Sequence, residues 1–189
     1  MLHRLRQAGL QTSTFGYTTT FESFNSIKLR LISKISEVAA TESYILVGHS
    51  LGGVLIRAAL NALPEQVERP RHIFLLGSPI QSSRLAIRLK NNLVYRTLTG
   101  DCGQLLASQA RMNEIGSIGE NTTSIVGVRG FFNGLGPFGG EPNDGVVSLT
   151  EVSAPWLSNQ KQVPVVHTLL PASSRVAEVI LREIYPIAG

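Results

Sequence analysis

Apolar positions along the chain follow two rhythms. Short runs of strand length fall at residues 12–15, 44–47, 73–76, 124–128 and 163–166. Between them, apolar residues return every three or four positions, the spacing of one helix face. Phe24, Ile27, Leu31, Ile35 and Val38 do so within residues 23–40, and Val54, Leu55, Ala58 and Ala59 do so in a segment that stops at Pro64. The closing segment, 173–185, puts Val176, Val179, Ile180 and Ile184 on one face, with Arg175, Glu178, Arg182 and Glu183 mostly outward. Residues 78–121 hold helical patterns around 84–95 and 105–112, room for a crossover helix and a modest extra piece. Residues 130–140, GFFNGLGPFGG, are glycine-rich with aperiodic aromatic residues, which predicts a surface loop placed to overhang a site. Strands alternating with helices predict an α/β fold, a three-layer α/β/α sandwich around a mostly parallel sheet, in a single domain over residues 1–189.

Composition narrows this little. The 189 residues are 43% hydrophobic, 16% charged and 6% aromatic, as in an ordinary soluble globular domain. No run approaches the roughly 18 apolar residues that span a bilayer, and MLHRLRQAGLQ lacks the apolar middle of a secretion signal, so a cytoplasmic location is expected. The one cysteine, Cys102, excludes an intrachain disulfide and leaves a cysteine nucleophile or a cysteine zinc site without support; no metal or organic cofactor is expected. Net charge is +4 and the pI about 9.6, but the cations are scattered through HRLR, KLR, RPR and RLAIRLK. That scatter favours solvated helix faces over nucleic acid, with no more than a weak membrane-surface contact.

The chemistry begins at residues 45–55, ILVGHSLGGVL. Gly48-His49-Ser50-Leu51-Gly52 fits G-x-S-x-G between a strand and a helix, the context in which such a serine is lifted on a strained turn. A glycine turn with an idle serine is the alternative. Phosphate-binding turns are excluded by spacing, since neither a lysine-serine pair after the last glycine nor G-x-G-x-x-G is present. A serine hydroxyl needs a histidine base and a carboxylate to orient it. After Ser50 only two histidines occur: His72 opens a strand and falls on the far edge of the sheet, whereas His167 closes VPVVH at a carboxyl end, on the edge of Ser50. His49 lies inside the turn and His3 near the terminus. Of two aspartates, Asp144 follows the fourth run at a carboxyl end, and Asp101, after Gly100, reads as a helix N-cap. Glu141 is the fallback acid. The picks, made on separate grounds, come out in the order Ser50, Asp144, His167.

With these residues the sequence resembles the α/β-hydrolase superfamily, and within it the small bacterial lipases and esterases. VGHSLGG is similar to their nucleophile turn, LLGSPIQSSRLA to the strand that follows, EPNDGVVS to their acid loop and VPVVHTLL to their histidine loop. The resemblance implies Ser50 as acyl-accepting nucleophile, His167 as general base, Asp144 as its orienting acid, and the Leu51 N–H as an oxyanion donor. Family members usually carry earlier strands, one of which ends in a loop giving a second oxyanion N–H. Here residues 1–10 look like the first helix, so the resemblance implies an N-terminally shortened sheet whose exposed strand is covered by a homodimer or a partner segment. The backbone around Gly16 and Tyr17 is then the expected replacement donor. The function implied is hydrolysis of a small-molecule or lipid ester, with Tyr17, Val146 and Leu169 contacting the acyl group. A thioesterase or acyltransferase, and a catalytically silent binding module, are the alternatives.

Overall fold

The computed structural model describes residues 1–130 and 136–185; residues 131–135 of the predicted overhanging loop lie outside them. In chain order the elements are α1 (Leu2–Gln7), α2 (Phe24–Ala39), β1 (Ile45–His49), α3 (Leu51–Leu60), β2 (His72–Leu76), α4 (Arg84–Leu89), α5 (Leu93–Leu106), α6 (Gln109–Ile115), β3 (Thr122–Gly127), β4 (Asn159–Val163) and α7 (Ser174–Ile184). Short 3₁₀ turns cover Thr150–Val152 and His167–Ala172. The strands lie in the order β1-β2-β3-β4, all parallel, with Ile45 opposite His72, Ile73 opposite Thr122 and Thr123 opposite Asn159. Parallel neighbours leave all carboxyl ends on one edge, and that edge carries the site.

Helices cover both faces. Successive side chains of a strand point to opposite sides, so Ile73 and Leu75 join a core with α2, α3 and α6, whereas Phe74 and Leu76 join one with Leu5 of α1 and Val176 and Ile180 of α7. β2 is buried at every position, which is why HIFLL reads as a continuous apolar run. α3 is buried almost all round, and its Arg57 guanidinium is enclosed with it. Arg57 bonds the carbonyls of Gly116 at 2.5 Å and of Pro79 and Ile80 at 3.5 Å, and burial pushes its pKa down to about 10. It ties the central helix to the turn after β2 and to the link before β3.

Several expectations need correction. Residues 12–15 form no strand. Among the described residues no strand pairs with the outer side of β1, so this segment has no ladder to join; Arg6 bonds Thr12, and Phe15 lies under the Arg30 guanidinium. The last strand is Asn159–Val163 rather than 163–166, because an edge strand tolerates the polar run NQKQ; Lys161 and Asn159 both meet Glu183 of α7. The 84–95 pattern divides into two helices, each with its own cap, Ser83 and Asn92. Ser108 separates the 105–112 pattern in the same way. The helix after Ser50 ends at Leu60, before Pro64 is reached. Asp101 caps no helix of its own: its carboxylate accepts the Phe24 N–H at the start of α2 at 2.9 Å and pairs with Arg111 at 2.8 Å. Phe138, in the described part of the loop, is buried rather than exposed.

Candidate active site

β1 ends at His49 and α3 begins at Leu51, so one residue makes the whole turn. That residue, Ser50, has φ 52° and ψ −123° and is the one non-glycine at positive φ among the described residues. Such backbone costs about 1–3 kcal/mol and persists only where the surroundings enforce it. They do so here. The Ser50 N–H donates to the Leu76 carbonyl at 2.9 Å, and the Ser78 hydroxyl donates to the Gly48 carbonyl at 3.1 Å. A Cβ on Gly48 would lie 2.6 Å from the Gly53 nitrogen, and one on Gly53 would lie 2.6 Å from the Ser78 Cβ. Both glycines are therefore required by the closeness of strand and helix. The first N–H groups of α3, those of Leu51 and Gly52, have no acceptor in the helix and make the mouth of the turn electropositive.

Beyond β3, the loop bearing Asp144 folds back through an isolated bridge between Asn143 and Ser148. Asp144 Oδ1 accepts the N–H groups of Val146 and Val147, each at 2.9 Å. Its Oδ2 lies 2.7 Å from His167 Nδ1, and the His167 N–H donates to the Asp144 carbonyl at 2.9 Å. Asp144 and His167 are 2% and 5% exposed. An acceptor-only carboxylate assigns the proton to Nδ1, leaving Nε2 as the basic nitrogen. The end of β2 runs directly beneath this pair: at Gly77, φ +52°, a Cβ would lie 2.9 Å from Asp144 Oδ2 and 3.0 Å from His167 Nδ1. Leu76, next to Gly77, receives the Ser50 N–H, so one strand end joins the turn to the pair. Among the described residues no hydrogen bond links the Ser50 hydroxyl to His167.

No family model and no curated protein matches the chain. Solved structures do. The mature lipase BlEst2 of Bacillus licheniformis superposes with a TM-score of 0.57 at 19% identity over 86% of this chain and 74% of its own. The metagenomic carboxyl esterase MGS0156 gives 0.60 at 16% identity over 82% and 54%. The phospholipase PlaB of Legionella pneumophila gives 0.57 at 15% identity over 80% and 40%, so the chain spans well under half of that protein. The fold is the α/β-hydrolase fold.

In this α/β-hydrolase framework His49 takes a place that its sequence position did not reveal. Its ring centroid lies 4.7 Å from that of His167, and its Nε2 lies 3.1 Å from the His167 carbonyl. Burial first, and the neighbouring His167 second, push its pKa down to about 4, so at neutral pH it is an uncharged donor to that carbonyl. The residue before the serine thus grips the histidine. Glu151, buried, also went unread: it accepts the N–H of Ser148 at 2.8 Å and of Arg84 at 2.7 Å, bracing the acid loop against α4. An acidic residue in VSLTEV carried no sequence signal for this.

The remaining candidates are elsewhere or otherwise engaged. His72 is at the opposite end of β2, bonded to Thr123 and stacked on Phe74. Glu141 pairs with Arg84 at 3.0 Å and accepts the Thr150 N–H at 2.6 Å. Cys102 is buried and its thiol is pushed up to about 11, chiefly by burial. Among the described residues no three His, Cys, Asp or Glu side chains gather as metal ligands. Val146 lines an open cavity of about 310 Å³ with Arg129, Asp144, Val166, His167 and Thr168. Leu169 is exposed, and Tyr17 lies at Gly52: its hydroxyl is 3.8 Å from where a Cβ on that glycine would be.

Proposed function

We propose that this chain is a serine hydrolase of carboxylic esters. His167 Nε2 removes the Ser50 proton as Oγ attacks the ester carbonyl, and Asp144 stabilises the imidazolium that forms. The Leu51 N–H, at the helix mouth, donates to the oxygen that becomes negative. Collapse of the tetrahedral species expels the alkoxide, which takes the proton from His167, and leaves an acyl group on Ser50. Water, deprotonated by the same imidazole, then attacks the acyl carbonyl, releasing the acid and restoring Ser50. The observation that carries this reading is the buried Asp144–His167 pair set at the same sheet edge as a serine in strained backbone. The test is a chain-length series of p-nitrophenyl esters compared with Ser50→Ala. Hydrolysis by the wild type and only background with the variant is expected; equal rates would refute the mechanism.

An ester presented at a lipid surface is the substrate class we favour. The first half of α5 turns Leu93, 75% exposed, together with Val94 and Leu98 to solvent, and Phe21 is 87% exposed. The Thr19 and Thr20 hydroxyls both bond the Leu98 carbonyl, so the segment carrying Phe21 abuts this helix. Arg88, Lys90 and Arg96 are exposed around it, and from residue 69 to residue 100 the chain has no acidic side chain. Exposed apolar residues with exposed cations near them along the chain complement an anionic membrane surface. Among the described residues no helix is long and apolar enough to cross a membrane, so such a contact would be made on the surface.

A further inference from the structure

Residues 15–22 form no ladder, yet they are held firmly from three sides. The Arg30 guanidinium donates to the Gly16 carbonyl at 2.8 Å, lies 5.2 Å from the Phe15 ring centre and pairs with Glu22. Glu22 in turn accepts the Thr18 N–H at 2.9 Å, closing the segment on itself. On the far side the Thr19 hydroxyl donates to the Leu98 carbonyl at 2.9 Å, and the Thr19 carbonyl approaches Gly100 so closely that a Cβ there would lie 2.5 Å away. Gly100 accordingly takes φ +51° and kinks α5 to let the segment pass. Everything around Tyr17 is thus fixed while its own hydroxyl, among the described residues, has no hydrogen-bond partner.

That hydroxyl lies at the mouth of α3. The hydroxyl lies 3.8 Å from where a Cβ on Gly52 would be, which places Tyr17 beside the first turn of α3, where the N–H groups of Leu51 and Gly52 have no acceptor in the helix. We infer that the Tyr17 hydroxyl is a second oxyanion donor, closing with the Leu51 N–H on the ester oxygen as Ser50 attacks. The sequence suggested a backbone N–H near Gly16 and Tyr17 for this task; the hydroxyl of Tyr17, beside Gly52, is the group of that segment to which we assign it. A phenol suits the role because it stays protonated, and burial raises its pKa further. Its donor is also pre-set, since the Arg30–Glu22 brace orders the segment before substrate arrives.

The inference rests on the esterase reading, and one experiment separates them. Tyr17→Phe, which keeps the ring and removes only the oxygen, is compared with wild type and Ser50→Ala on a short p-nitrophenyl ester, with kcat and KM resolved and melting recorded. A lost oxyanion donor lowers kcat by about 10² to 10³ with KM and melting temperature nearly unchanged. Arg30→Met, which frees the segment but keeps the hydroxyl, should lower kcat less, and should add little in the Tyr17→Phe background because both act through one donor. Ser50-dependent hydrolysis with Tyr17→Phe within threefold of wild-type kcat overturns this inference alone. A loss confined to KM overturns it too, marking Tyr17 as a substrate contact. Wild-type rates no higher than those of Ser50→Ala overturn both.

Discussion

Ser50→Gly should be more stable than Ser50→Ala, although both should abolish turnover. The two variants delete the same hydroxyl, which among the described residues bonds nothing, so their difference isolates the backbone. Alanine keeps a Cβ at φ 52° and ψ −123°, at a cost of about 1–3 kcal/mol; glycine adopts that region freely. Glycine also gains freedom in the unfolded chain, which offsets about 0.4–1 kcal/mol. The net advantage of glycine is about 0.5–2 kcal/mol, and at roughly 2–4 °C per kcal/mol for a chain of this size its melting temperature should be higher by about 1–8 °C. Urea denaturation of both proteins under one buffer, with calorimetric melting as a second readout, measures the difference. A Ser50→Ala protein as stable as Ser50→Gly would refute the claim that the turn stores strain.

Gly77→Ala should cost about 1–2 kcal/mol from its positive φ, and its new methyl would press on Asp144 Oδ2 and His167 Nδ1 at 2.9 and 3.0 Å. Since a 1 Å misplacement can cost about 10²-fold in rate, kcat should fall at least tenfold, and an unchanged kcat would contradict the packing. His49→Gln tests the depressed pKa. A histidine held neutral down to about 4 but protonated near 6.5 when unfolded, the ordinary value, makes the unfolded state bind more protons between these values. Its contribution is present above pH 6.5 and lost as pH falls toward 4. Urea melts from pH 8 to 4 should therefore show the stability advantage of wild type over His49→Gln shrinking on acidification; a constant gap would refute the assignment. For the lipid surface, Ser50→Ala protein should sediment with phosphatidylglycerol vesicles and less with phosphatidylcholine. Added salt or Leu93→Asp with Leu98→Asp should release it, and equal sedimentation with both lipids would remove the charged surface.

The turn at Ser50 was legible because its determinants are local: three glycines within six residues, a strand before and a helix after. That Asp144 and His167 meet was legible by elimination, in a chain with few aspartates and histidines, and by the place of each beyond the carboxyl end of an expected strand. Legibility failed where a neighbour decides. Residues 12–15 have the length of a strand but, among the described residues, no partner beside β1, and Asn159–Val163 is a strand with the composition of a loop because Glu183 and the β3 ladder hold it. Asp101 looked like a cap for the helix that follows it and instead serves α2, 77 residues away. His49 grips His167 across 118 residues, and nothing in local spacing marks such a contact.

The central claim is that Ser50 is a nucleophile activated by His167, and covalent capture tests it most directly. Intact protein treated with a fluorophosphonate should gain one adduct, placed on Ser50 by peptide mass spectrometry. Folded His167→Ala and Asp144→Asn should react far more slowly under the same conditions. A folded wild-type protein that stays unlabelled, or a Ser50 labelled equally fast without His167, would contradict the account.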